Sequence, residues 1–232
     1  REVPFGMDGD FSHKALIGRI NSDLANNLGN LLNRTINMMK RYYDCIIPEP
    51  TNPNGDADLK NEFQEGISTV HSLYNSLAYN KILERIWNLI DATNKYIDHQ
   101  APWALVKSED GKKRLATVMY NTTECLRIIA ILIYPFMPKS AETMMQQLGI
   151  EISIKEQGLG TIKTWGGLKS GTRVQPGNQL FPRIEDKEAE KLLATVEVAE
   201  KSDSKKGAEV MEEETSEQVS IDEFMKIDLR TG

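Results

Sequence analysis

Residues 13–43 read "HKALIGRINSDLANNLGNLLNRTINMMKRYY", and the spacing of their apolar residues decides the fold class. Leu16, Ile20, Leu24 and Leu28 recur every four residues, and Leu32, Ile36 and Met39 continue the stripe with a small drift. That is the period of an amphipathic helix. Ser12 is a natural N-cap, and Gly29 allows a bend midway. Downstream, "PEPTNPNGD" at 48–56 is barred from helix by its prolines. Further helical patterns are expected over about 57–76, 79–99, 110–134 and 138–148. Ile82, Ile86, Leu89, Ile90 and Ile97 face inward on the 79–99 helix, and Leu115, Val118, Met119, Leu126, Ile129 and Ile133 on the 110–134 helix. Amphipathic helices joined by short connections predict a mainly α protein built as an antiparallel helix bundle.

After Gly149 the character changes. The stretch "EISIKEQGLGTIKTWGGLKSGTRVQPGNQLFPRI" is glycine-rich, with a QPG turn and short β-prone runs. It reads as an irregular strap, with room for a hairpin, packing back through Ile162, Trp165, Leu168, Val174, Leu180 and Phe181. The expected organisation is a bundle over 1–150, the strap over 151–184 and an acidic linker over 185–217. Residues 218–232 would open a second, truncated domain: "IDEF" reads as a helical turn and "MKIDLR" as a strand. The linker begins helical and then becomes too charged and too poor in apolar residues to form a core, so it is expected to be largely disordered.

The net charge of −6 over 232 residues is unevenly placed. Residues 1–184 carry 21 Lys+Arg against 19 Asp+Glu, whereas 185–232 carry 7 against 15. The bundle is therefore near neutral and can meet a polyanion through local basic groups. Cys45 and Cys125 are far apart and form no CxxC unit, so they read as reduced thiols of a cytoplasmic protein. The histidines have no metal-ligand spacing. No apolar run reaches the length of a membrane span, the longest, "CLRIIAILIYPFMP", being broken by Arg127 and two prolines. The start at Arg1, without an initiator Met, is expected of a piece of a longer chain.

No glycine-rich phosphate loop, paired carboxylates, Ser/His/Asp order or metal cluster stands out, so no catalytic residue is expected here. Two features could bind a ligand. Asn26, Asn30 and Arg34 fall at i, i+4 and i+8, on a helix face away from the apolar stripe, with Asn33 beside it. Asn and Arg one turn apart present planar donors and acceptors suited to the edge of an unpaired base. A solvated face, or Asn30 acting as a cap near Gly29, is the commoner use of such residues. The second feature is "DHQAPWALVK" at 98–107. Pro102 is expected to hold Ala101 extended and to open a helix, so that Trp103 projects from a fixed corner, either as a core plug or as a platform for stacking. Trp87 and Trp165 fit a buried role.

"NSDLANNLGNLLNR", followed by "DHQAPWALVK", resembles the helical anticodon-binding domain of bacterial methionyl-tRNA synthetases. "REVPFGMDGDFS" resembles the exit from the catalytic part of those enzymes, and "VSIDEFMKIDLRTG" the opening of their OB-fold tRNA-binding appendage. The resemblance implies that Asn30 and Arg34 read the methionine anticodon and that Trp103, set by Pro102, stacks on its first base. It also implies tRNA(Met) as partner through its anticodon stem-loop, together with the family's own catalytic domain. ATP and Mg serve the parent enzyme, not this fragment, and dimerisation is associated with the appendage. No residue here matches the family's HIGH or KMSKS signatures or its zinc knuckle, which are expected upstream of Arg1. Lys40, Arg41, Lys107, Lys112, Lys113 and Arg114 flank the two motifs and are candidate phosphate contacts. The competing readings are a helical scaffold that holds a partner helix and the equivalent domain of another class I synthetase.

Overall fold

The computed structural model describes residues 12–195. The chain separates into two units, Arg1–Ile184 and Glu185–Gly232. In the second, residues 186–195 are helical. The remainder of the linker, the expected start of an OB fold and the "REVPFG" entry lie outside the described residues.

The first unit is helical from its N-cap onward. Ser12 accepts a hydrogen bond from the Ala15 amide and opens α1, His13–Arg19. A π-helical segment follows, Ile20–Gly29, and runs without a break into α2, Asn30–Tyr43. Its last residue, Gly29, has no room for a side chain, because a Cβ there would lie 2.9 Å from the Leu24 carbonyl oxygen. So wide a turn departs from the expected uniform period. The apolar stripe accordingly starts late: Leu16 is 46% exposed, while Leu28, Leu32, Ile36 and Met39 are buried.

The other helices are α3 (Ala57–Asn75), α4 (Tyr79–Gln100), α5 (Pro102–Leu105), α6 (Glu109–Ile133) and α7 (Pro138–Gln147). Short turns make α3 and α4 antiparallel, and likewise α6 and α7. Arg114, near the start of α6, meets Gln100, the last residue of α4, so those two run in opposite directions as well. α2 and α4 run parallel, since Asn27 pairs with Asp91 and Arg34 with Asp98. The end of α2, the end of α4, α5 and the start of α6 therefore share one end of the bundle.

α6 is the central helix. It is long and apolar enough to match a membrane span in length and composition, which the sequence reading did not anticipate. Every residue from Leu115 to Ile133 is nevertheless buried inside the bundle. Its polar residues are satisfied internally: Thr122 and Thr123 donate to the Val118 and Met119 carbonyls at 2.8 Å. The Glu124 carboxylate is fully buried and pairs with Arg127 at 2.7 Å. It also accepts from the backbone N–H groups of Gly166, Gly167 and Leu168, each at 3.0 Å.

That carboxylate anchors the strap. Gly167 is required there, because a Cβ would lie 2.5 Å from an Arg127 nitrogen. Tyr120 donates to the Leu168 carbonyl at 2.7 Å. Ile162, Leu168 and Val174 are buried as expected, and Trp165, Leu180 and Phe181 pack partly buried against the core. The strap forms no hairpin. Its segment near Arg173 instead bridges Ile46 in the loop after α2, with the Ile47 amide donating to Thr172 at 2.9 Å and the Val174 amide to Cys45 at 2.8 Å. A short segment with β propensity takes whichever extended partner the packing presents.

Cys45 and Cys125 are free and buried, and burial pushes the Cys125 thiol well above its ordinary pKa. Removing one member of a buried ion pair leaves the other uncompensated, so Glu124→Gln is expected to cost about 3–5 kcal/mol. Urea unfolding would measure that loss. Hydrogen exchange would show the 166–168 amides losing protection first, whereas unchanged protection there would mean that Glu124 does not hold the strap.

Candidate functional site

The residues singled out in the sequence lie along the first turns of α2, on the last turns of α4 and at the corner that follows α4. On the α2 side, Asn30 is exposed and is the first α-helical residue after the π segment. Its backbone N–H closes the last wide turn onto the Ala25 carbonyl. One turn further, Arg34 is half-buried, with Nη1 donating to Asp98 at 2.9 Å and Nη2 to Asn94 at 3.2 Å. Its Nε is buried without a partner. A guanidinium has five N–H donors, so the terminal nitrogens keep uncommitted hydrogens.

These contacts belong to a polar ladder. Asn94 relays between the two helices, accepting from Arg34 and donating to Asn27 at 2.8 Å. Asn27 in turn donates to Asp91 at 2.7 Å. The α4 side of the ladder was missed in the sequence. Its signal was there, because Asp91, Asn94 and Asp98 sit at i, i+3 and i+7 on one helix face.

α4 ends at Ala101, whose N–H returns to the Ile97 carbonyl at 2.9 Å. Ala101 is left-handed, with φ 45° and ψ 63°. This corrects the expected extended conformation: closing the helix with a left-handed cap prevailed over the pre-proline preference. Pro102 opens α5 as expected, and it is buried. Trp103, its neighbour, is 49% exposed. Of these two adjacent residues, Pro102 is inside and Trp103 outside, so Trp103 is not a core plug. Trp87 is buried at 8% exposure. Trp165 lies partly buried, edge-on to Phe63 with centroids 5.7 Å apart, and donates to Asn121 at 3.3 Å.

The corner is braced from both sides. Across from it, a Cβ on Gly111 would sit 2.1 Å from the Leu105 carbonyl, so only glycine lets α6 approach α5 this closely. Beneath it, Arg114 donates to the Gln100 side-chain oxygen from Nε at 3.0 Å and Nη2 at 2.7 Å, and to Asp56 from Nη1 at 2.9 Å. Asp56 also accepts from Tyr96 at 3.0 Å and Asn121 at 2.9 Å. Arg114 therefore differs from the other cations proposed for phosphate contact: its donors are spent inside the protein.

The remaining basic residues share this bundle end. Lys40 and Arg41 are exposed on the last turn of α2, with Arg41 lying 5.7 Å from the Tyr42 ring centroid. Lys107 is exposed between α5 and α6. Lys112 and Lys113 make exposed pairs with Glu109 at 2.5 Å and Asp110 at 3.5 Å, of a kind worth little in water. Among the described residues, no group of His, Cys, Asp or Glu could hold a metal ion.

Comparison with known proteins decides the family. Residues 47–200 match the family described as the anticodon binding domain of methionyl tRNA ligase. The chain belongs to the methionyl-tRNA ligase family. Residues 1–36 match a second family description, tRNA synthetases class I (M). Asn30 and Arg34 fall in that match, and Trp103 in the anticodon-domain match. The chain is 45% identical to the methionine–tRNA ligase of Caldanaerobacter subterraneus subsp. tengcongensis and 40% identical to that of Bacillus subtilis, in each case over 100% of this chain and 35% of the relative. It thus spans about a third of the length of these curated relatives. An apo crystal structure of Mycobacterium tuberculosis methionyl-tRNA synthetase superposes with a TM-score of 0.73 at 37% identity, covering 80% of this chain and 37% of that one. The family favours the anticodon-domain reading over a general scaffold or a synthetase for another amino acid.

Burial raises the Asp56 pKa, but the hydrogen bonds from Arg114, Tyr96 and Asn121 and the Arg114 charge outweigh it and hold the carboxyl below its ordinary value. A carboxyl depressed on folding contributes stability above its unfolded pKa and loses it as pH falls through the folded one. Thermal unfolding midpoints are therefore expected to drop as pH falls below the ordinary Asp range. Asp56→Asn should lower stability at neutral pH and flatten that acid slope; an unchanged slope would show that other carboxylates set it.

Proposed function

We propose that this chain reads the anticodon of methionine tRNA as the recognition part of a methionine–tRNA ligase. Trp103 stacks on the first anticodon base, while Asn30 and the free donors of Arg34 bond the base edge and neighbouring backbone. Pro102 sets the ring. Lys40, Arg41, Lys107, Lys112 and Lys113 contact phosphates of the same stem-loop. ATP-dependent activation of methionine, with its Mg, and transfer to tRNA belong to the catalytic part of the whole, cytoplasmic enzyme. In this reading the bundle over 1–150 and the strap over 151–184 form the clamp, 185–217 is the linker, and 218–232 opens the appendage through which the enzyme dimerises.

The supporting observation is the exposure of Trp103 on a braced corner. An exposed aromatic is entropically cheap to use when its backbone is already fixed, and stacking it on an unpaired base removes its apolar face from water. A protein-interaction scaffold would instead present a contiguous apolar groove. Among the described residues of the first unit, the exposed large hydrophobics fall on different elements: Leu16 on α1, Leu77 in the α3–α4 turn, Trp103 on α5 and Ile152 in the strap.

Binding of an RNA hairpin with a CAU anticodon loop is the direct test. Trp103→Ala is expected to weaken binding by about 5- to 150-fold, the equivalent of one stacked base. Arg34→Ala should weaken CAU binding more than binding of a hairpin with an altered first anticodon base. Lys40→Ala should weaken all hairpins alike and reduce the salt dependence. Normal binding by both Trp103→Ala and Arg34→Ala would remove these residues from the interface.

A further inference from the structure

We propose that Arg114 is a positioning residue for base reading: clamped by Asp56, it holds Gln100 and thereby fixes the orientation of Trp103. This rests on the anticodon reading above. Arg114 contributes four of its donor positions to internal partners, Nε and Nη2 to Gln100 and Nη1 and Nη2 to Asp56. That leaves little with which to meet a phosphate. Its anchor is firm, because the Asp56 side chain is only 9% exposed and also takes the Tyr96 hydroxyl and the Asn121 amide.

The link from the clamp to the ring is short and stiff. Gln100 is the last residue of α4, Ala101 is locked as its left-handed cap, and the Pro102 ring fixes φ and is itself buried. Between Gln100 and Trp103 the backbone is held by the Pro102 ring and by hydrogen bonds from the Ala101 N–H to Ile97 at 2.9 Å and from the Ala104 N–H to Ala101 at 2.8 Å. The far side of α5 is held by α6 against the Leu105 carbonyl. Without Arg114, Gln100 keeps only its 3.4 Å contact to the neighbouring His99 ring, and the α4 end of the corner loses its side-chain tie to Asp56. A recognition group left without such support stays present but loose.

The test uses the full chain with 5-fluorotryptophan and the CAU hairpin. Gln100→Ala breaks the clamp at the corner and leaves the Arg114–Asp56 pair in place, so it keeps the test open should Arg114→Gln fail to fold. Both variants are expected to weaken binding by about tenfold, part of the stacking contribution, with an unchanged salt slope. In Gln100→Ala, which spares the Asp56 network, the Trp103 fluorine resonance, assigned by Trp103→Phe, should shift or broaden while those of Trp87 and Trp165 stay in place. In a Trp103→Ala background the loss from Gln100→Ala should vanish, because a residue acting through the ring has nothing left to position. Arg114→Lys should rescue only partly, since an ammonium cannot fork between Gln100 and Asp56.

Additive losses, with a salt slope reduced by about one in Arg114→Gln, would make Arg114 a phosphate contact and overturn the proposal. So would a Trp103→Ala protein that binds weakly beside a Gln100→Ala protein that binds normally. A Trp103→Ala protein that binds normally overturns the anticodon reading itself, a different result.

Discussion

The carboxylate of Asp56 is the constraint on which this end of the molecule depends. It sits at the start of α3 in a left-handed conformation, φ 60°, and gathers donors from α4 and α6. Tyr96 reaches it from α4, and Arg114 and Asn121 from α6. Asn121 passes the network on to Trp165 of the strap, and Arg114 passes it to Gln100 at the α4 terminus. Apolar packing holds helices together but leaves their axial slide poorly defined, whereas a carboxylate with directed donors on several helices accepts only one register. Asp56 does this at the end that carries Trp103. Glu124 does it for the strap, where a charge in the centre of α6 is tolerated because Arg127 and the amides of 166–168 saturate it.

Much of the bundle was legible in its periodicity. The helices α3, α4, α6 and α7 begin and end within a residue or two of where the apolar spacing places them, and every inward residue named for α4 and α6 is buried. What periodicity cannot express is a helix buried on all sides. In α6 the sequence shows a mixture of polar and apolar residues, which normally marks a solvent face. Here the polar residues are satisfied by backbone carbonyls, by each other and by the strap. Whether a threonine or a glutamate is solvated or internally paired depends on residues far away in the chain, and local pattern carries none of that.

The site was legible for a similar reason and only to a similar depth. Asn30 and Arg34 are recognisable as one helix face, and the Pro-Trp pair as a corner, because both are local features. The long-range half was not readable. Arg114 looked like one more exposed cation near the motif, and only the fold shows that Asp56, 58 positions earlier, claims its donors. Ala101 was misjudged on a local rule, the pre-proline preference, because the requirement to close a long helix competes with it.

Two departures from regular backbone flank the face proposed to read the anticodon. Asn30 is the first residue after the π segment, and Trp103 is the second after the left-handed Ala101. Neither irregularity is forced by composition alone: the π turn needs Gly29 against the Leu24 carbonyl, and the left-handed alanine costs about 1–2 kcal/mol relative to a right-handed one. A regular helix fixes the angle between successive side chains at 100° and offers no other. In the proposed reading, aiming an amide from one helix and an indole ring from another at one anticodon base takes departures from backbone regularity that reach other angles. The surrounding bundle is what keeps those two irregular turns in place, and the polar clamps beneath them are where that support is concentrated.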